Sequence, residues 1–405
     1  MTNPGFFPEW PLAHSPIVLF GLLLLAGFIG GELARRLARI PRLIGYTLTG
    51  LLLGPGGIDW LDTASLAASR VFVDIALGLL LFDLGRRLDL DWLARDRWLF
   101  ITGLAESALT FGLVFCVLIQ FDLPAVPAAI AAAIAIATSP AVALVMSREL
   151  RAEGQITERM LNLTAMNSVV AVLVTTMLLS WIHHEYRGDW ILMVLHPLYL
   201  LLGSGLLGVL ASLAVLGLAR VLGKQRERHF VLVLALVVLA IGAARMLELS
   251  VLLTMLTFGV LVRNLDQNRD VLDVDFSRVG LIFFVVLFVV SGASLSLDSL
   301  KSGAVAGGAF VLARFAGKAL GVMTFTHFSG LRPGSAGLLT LTLMPMSALA
   351  IVMLEVTTGL YPQLRGELSA IVLSAVLILE LAGPLLVQFA LTRAGEARAK
   401  EETAT

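Results

Sequence analysis

Long apolar stretches joined by short polar links recur from end to end of this 405-residue chain. Nearly all are long enough to cross about 30 Å of hydrocarbon as a helix. They fall near 15–34, 43–58, 71–85, 98–119, 125–146, 160–182, 191–219, 229–247, 250–263, 279–297, 304–327, 336–358 and 368–391. The pattern predicts an all-α polytopic membrane protein of about 13 transmembrane helices, the ninth of them short. No link is large enough for a soluble domain, and the polar tail after Leu391 is expected to fray. The N-terminus has neither a basic n-region nor a small-residue cleavage site, so the first span is expected to act as its own insertion signal.

Two of the stretches are interrupted at mid-length by proline. One carries Ala137-Thr138-Ser139-Pro140-Ala141 and the other Leu343-Met344-Pro345-Met346-Ser347, each in the fifth span of its half. Proline removes a backbone donor and clashes with the preceding turn, so both helices should unwind there. Irregular backbone at that depth is tolerable only where it is buried in protein or lines a cavity. Such discontinuous helices, in inverted repeats, build the substrate sites of many secondary transporters. The predicted organisation is therefore two six-helix inverted repeats about a linker span, with Pro140 and Pro345 breaking one helix in each.

Composition agrees with a lipid environment: 58% of residues are hydrophobic and 14% charged. A soluble domain has about 45–50% apolar and about 25% charged residues. The 29 basic and 29 acidic residues cancel, so no nucleic-acid partner is indicated. The basic residues also test the span count. With the N-terminus outside, 22 of them fall in inside segments and five in outside segments, which is the bias the positive-inside rule requires. The remaining two, Arg314 and Lys318, lie within a span. The expected orientation is N-terminus outside and C-terminus cytoplasmic. The single cysteine, Cys116, is read as a buried thiol, and His183-His184 as part of a short solvated loop. There is no hydrolase triad spacing, metal-ligand cluster or phosphate-binding glycine loop, so neither an enzyme nor a cofactor is expected.

Several segments together carry a family resemblance. They are Gly45-Tyr46-Thr47-Leu48-Thr49-Gly50-Leu51-Leu52-Leu53-Gly54-Pro55, Leu79-Leu80-Leu81-Phe82-Asp83-Leu84-Gly85, Phe283-Phe284-Val285 through Ser291-Gly292-Ala293-Ser294-Leu295, and Val311-Leu312-Ala313-Arg314-Phe315-Ala316-Gly317-Lys318. From about residue 16 to 393 the chain resembles the monovalent cation:proton antiporter superfamily, in particular its bacterial potassium-efflux-like and sodium/proton branches. The resemblance implies a homodimer in a bacterial inner membrane. It implies scaffold and dimerisation helices 1–3 over 15–97 and core helices 4–6 over 98–182, broken at 138–141. A linker helix 7 over 191–222 and scaffold helices 8–10 over 229–297 would follow. Core helices 11–13 over 304–392, broken at 344–347, and a cytoplasmic tail over 393–405 complete the expected division. The core would rock against the scaffold to exchange a monovalent cation, Na⁺ or K⁺, for a proton.

The resemblance fails at one informative place. The family's cation site lies on the sixth span as Asn-Asp, Asp-Asp or Gln-Asp, and here that stretch reads Thr164-Ala165-Met166-Asn167-Ser168. Asn167 matches the first member of the pair, while Ser168 stands where the aspartate belongs. An aspartate can hold either a proton or a cation, and a serine has no useful titration. Thr138, Ser139, Asn167 and Ser168 can supply only neutral groups to a hard cation. The basic residues Arg314 and Lys318 survive, one turn apart on one face. Without the usual acid, Arg314 must use another carboxylate, a carbonyl dipole or a bound anion. Glu106 and Glu380, both in the expected core, are candidate replacement proton carriers, with Asp83 on the scaffold side a third. Three functions fit this sequence: an antiporter whose proton site has moved, a transporter of a small anion or weak acid that uses Arg314, and a membrane sensor or partner subunit that no longer transports.

Overall fold

The computed structural model describes residues 15–38, 40–88, 90, 96–187, 190–222, 226–266, 277–295, 297–326, 328 and 330–397, and among them there is helix and no strand. In chain order the helices are α1 (Pro16–Leu37), α2 (Arg42–Leu53), α3 (Thr63–Arg87), α4 (Arg97–Gln120), α5 (Ala125–Ile136), α6 (Pro140–Glu149), α7 (Gln155–Arg187) and α8 (Trp190–Leu222). They continue as α9 (Arg226–Met246), α10 (Val251–Leu265), α11 (Ser277–Ala293), α12 (Leu297–Thr326), α13 (Pro333–Thr342), α14 (Ala348–Leu360) and α15 (Arg365–Arg393). Among the described residues nine helical stretches are long and apolar enough to cross a membrane, counting Ala125–Glu149 as one, and four apolar helices are shorter. Their apolar side chains are exposed around the rim, as with Leu202, Leu206 and Leu210 on α8, where lipid takes the place of water.

The helices pack as two groups. In the first, α10 lies between α3 and α8, and α11 lies against α1, α2 and α3. In the second, α12 lies between α4 and α15, while α5 rests on α4 and α7. The closest approach in the second group sets the position of the buried charges. A side chain on Gly321 would put its Cβ 2.3 Å from Glu106 Cα, and one on Gly317 would lie 2.5 Å from Thr110 Cα. Small residues let transmembrane backbones touch in this way. They bring Lys318, which sits between the two glycines, against α4. A Gly321→Ala chain is expected to lose about 1–3 kcal/mol through forced separation of the helices. The check is thermal unfolding in detergent beside Gly112→Ala, whose added Cβ meets nothing within 4 Å. Equal melting of the two variants would refute the close-contact account.

Some helix starts are set by side-chain caps. Asp62 accepts from Ser65 N at 2.8 Å at the head of α3, and Asp96 accepts from Leu99 N at 3.0 Å at the head of α4. The head of α7 is capped from far along the chain. Glu396 accepts from Ile156 N, Thr157 N and Thr157 Oγ1, each at 2.8 Å. The segment just past Leu391, expected to fray, is thus tied down through residue 397, and residues 398–405 lie outside the described range.

Two local expectations are corrected. Cys116 is exposed on α4, because the buried stripe of that helix runs through Thr110, Val114 and Leu118 and leaves Cys116 facing outward. His183 and His184 are not in a loop: α7 continues through them to Arg187.

Candidate functional site

The two broken helices meet at their gaps. α5 ends at Ile136 and α6 starts at Pro140, while α13 ends at Thr342 and α14 starts at Ala348. In the first helix the unwound residues are 137–139, so Pro140 is the first residue of the new half-helix and not part of the gap. That is where a proline fits best, since its missing N–H would have no helical partner anyway. In the second helix Pro345 lies within the gap. The two gaps are joined directly. Ser139 N donates to Pro345 O at 2.9 Å, Thr138 Oγ1 donates to Leu343 O at 3.2 Å, and the Ser139 and Ser347 hydroxyls share a short hydrogen bond.

Around this crossing the structure gathers seven of the residues singled out from the sequence. Glu106, Thr138, Ser139, Asn167, Ser168, Arg314 and Lys318 are each at most 1% exposed. Asn167 Nδ2 donates to Thr138 Oγ1 at 3.2 Å, and its Oδ1 accepts from Ser107 Oγ at 3.3 Å. The Ser168 hydroxyl donates within its own helix to Thr164 O at 2.7 Å and faces Thr138 O at 3.3 Å. It is a donor to backbone and adds no charge to the site.

The charges lie on α12 and α4. Arg314 donates to Ala137 O at 2.6 Å and to Leu343 O at 3.3 Å. These carbonyls belong to the residues that end α5 and α13, so one guanidinium bridges the C-terminal ends of both half-helices. Each such end carries a partial charge of about −0.5, which a cation offsets. Of the three partners left open for Arg314, the carbonyl dipole is the one it uses. Lys318 is ion-paired with Glu106, both fully buried, and its Nζ also lies 3.3 Å from Ile136 O and 3.3 Å from Thr138 Oγ1. Its ammonium thus rests among three oxygens. Arg314, Lys318 and Glu106 together carry one surplus positive charge, which the two helix ends balance.

The other acids lie apart. Asp83 pairs with Arg148 at 2.5 Å and Arg87 at 3.6 Å, linking α3 to α6. At the opposite end of α3, Arg70 pairs with Glu355 on α14 at 3.0 Å. Glu380 on α15 is 1% exposed, and neither of its carboxylate oxygens has a hydrogen-bond partner among the described residues. Two members of the site, Ser107 next to Glu106 and Ser347 at the end of the second broken motif, do not stand out in the sequence as site residues. The carbonyl acceptors Ile136 O, Ala137 O and Leu343 O stand out even less, because a carbonyl leaves no mark in a sequence. A cavity of about 660 Å³ opens between α3, α9 and α11 on one side and α14 and α15 on the other. It is lined by the Arg70–Glu355 and Asp74–Arg245 pairs and by Ser291 and Ser294.

Crossed half-helices whose ends are neutralised by buried charges, in a chain built of membrane-length apolar helices, define a secondary transporter. The chain belongs to the sodium/hydrogen exchanger family, whose transmembrane profile matches residues 20–392. Two structures of the sodium proton antiporter MjNhaP1 from Methanocaldococcus jannaschii share its fold. One, determined at pH 8, has a TM-score of 0.62 at 16% identity and covers 93% of this chain and 98% of that one. The other, an electron-microscopy structure, has a TM-score of 0.68 at 17% identity and covers 95% and 99%. No curated protein sequence matches significantly.

Proposed function

We propose that this protein exchanges a monovalent cation, Na⁺ or K⁺, for a proton at the Glu106–Lys318 pair, in place of the missing sixth-span aspartate. The observation that carries this reading is the position of the Lys318 ammonium, held by Glu106, Ile136 O and Thr138 Oγ1. A desolvated alkali cation seeks oxygens of this kind. Cation and ammonium therefore compete for one nest. Entry of the cation releases Lys318, which gives up its proton, and departure of the cation lets the protonated amine return. Both loaded states carry the same charge, so exchange at this pair is one for one and leaves the helix-end balance unchanged. Lys318 then carries the coupling proton, and Glu106 is the acid common to both states.

Thirteen crossings with the N-terminus outside and the C-terminus cytoplasmic, in a bacterial inner membrane, best fit the basic-residue bias. The first helix group serves as scaffold in a homodimer and the second as a moving core. Movement of the core has to break the bridges that α3 makes at its two ends, Arg70–Glu355 and Asp83–Arg148, in alternation. Transport of a small anion through Arg314 is the weaker reading, because both terminal nitrogens of that guanidinium are engaged by carbonyls.

The test is proton flux in proteoliposomes under an imposed Na⁺ or K⁺ gradient, comparing the native chain with Ser168→Asp. The native chain is expected to exchange, and Ser168→Asp to alter the cation concentration that half-saturates it by about tenfold or more, since a second carboxylate joins the site. Exchange seen only in Ser168→Asp would overturn the reading and return the question to anions or a non-transporting role.

A further inference from the structure

Glu380 is a second buried acid that the exchange at Glu106–Lys318 leaves unused. It lies on α15, one turn before Gly383, which packs on Pro345 of the second gap. Among the described residues it makes no ion pair, and the polar group beside it is the hydroxyl of Ser291 on α11. That hydroxyl approaches the carboxyl group without completing a hydrogen bond, so both carboxyl oxygens and the Ser291 Oγ are left unsatisfied in the protein interior. Buried polar groups are rarely left so, and an exception calls for a physical reason.

The cavity between the two helix groups supplies one. Ser291 lines it while being only 5% exposed, so this residue stands between the cavity and Glu380. The charged residues around the cavity are Arg70, Asp74, Arg245, Glu355 and Arg365. The first four are engaged in the Arg70–Glu355 and Arg245–Asp74 pairs. A hard metal cation would need about six oxygens, and this place offers a carboxyl group and one hydroxyl. A proton needs one lone pair.

We infer that Glu380 and Ser291 form a second proton site, separate from the Glu106–Lys318 pair and supplied from the cavity between scaffold and core. Water reaching Ser291 delivers the proton, which passes to a Glu380 oxygen. When the core shifts against the scaffold, the Ser291–Glu380 contact between α11 and α15 is remade, and the proton's access changes with it. The site stands whether or not the chain exchanges ions at Glu106.

The test uses the full native chain in sealed vesicles and the apolar reagent dicyclohexylcarbodiimide, to which a protonated carboxyl group adds. Peptide mass spectrometry reads the adduct. The side of the membrane that faces the cavity is marked by Arg365→Cys in a Cys116→Ser background, with a membrane-impermeant thiol reagent. The expected result is an adduct on Glu380 whose yield falls several-fold when pH is raised on the cavity side alone. No adduct at Glu380, or a yield that ignores pH on that side, overturns the inference. Because the labelled chain is native, a folding defect cannot imitate either result.

Discussion

Replacing Glu106 with Gln is expected to cost about 3–5 kcal/mol, because it leaves Lys318 at full burial without its ion-pair partner. The fall in the unfolding midpoint in detergent should be the largest of any single substitution in the core. The double variant Glu106→Gln with Lys318→Met should recover most of that loss, since removing both partners of a buried pair is often neutral. Transport should not recover with it. Both variants are expected to show no cation-driven proton flux, because the first lacks the acid and the second lacks acid and amine alike. This separation of stability from activity is the informative result. If Glu106→Gln melts like the native chain, the pair is not the buried ion pair that the geometry describes.

Arg314 is expected to tolerate neither Lys nor Met, with Met the more damaging. The guanidinium is planar and spans two acceptors, whereas the ammonium of lysine is a point charge. Arg314→Lys should keep one half-helix end and lose the other. Arg314→Met leaves the Ala137 carbonyl without its donor, at about 1–3 kcal/mol. It also uncovers two helix C-termini, each worth up to about 2 kcal/mol when buried. Ile136 O at the α5 end keeps Lys318 Nζ and Leu343 O at the α13 end keeps Thr138 Oγ1, so the loss centres on Ala137 O. Hydrogen exchange at the amides around Ala137, compared with those around Leu343, would read this difference. An Arg314→Lys protein with native melting and native flux would show that bridging is not what this residue does.

The long-range pattern of this molecule is legible in its sequence because lipid makes it so. Every backbone group in hydrocarbon must be satisfied within a helix, and the apolar runs therefore follow the helices closely. The interruptions are legible for the same reason, since a proline at mid-length in an apolar run has little else to do at that depth. The pairing of charges is not. Arg314 and Lys318 are four residues apart on one face, and nothing in their spacing says that the first takes carbonyls and the second Glu106. That choice is made by Gly317 and Gly321, which bring α12 so close to α4 that Lys318 reaches Glu106. It depends equally on where α5 and α13 happen to end. The exposure of Cys116 is hidden as well, because an apolar run does not tell a lipid-facing position from a buried one: in a membrane both are apolar.

The cap that Glu396 places on α7 bears on how the molecule is made. Residue 156 and its partner are separated by 240 positions. At about 5–20 residues per second, the amides of Ile156 and Thr157 wait on the order of 10 to 50 seconds after their own synthesis before that carboxylate exists. Every helix of the site has by then been synthesised, and the one bearing Asn167 is still open at its head. The tie between the segment after α15 and the head of α7 therefore forms late. A chain cut just before residue 396 would keep α1 to α15 and lack that closure.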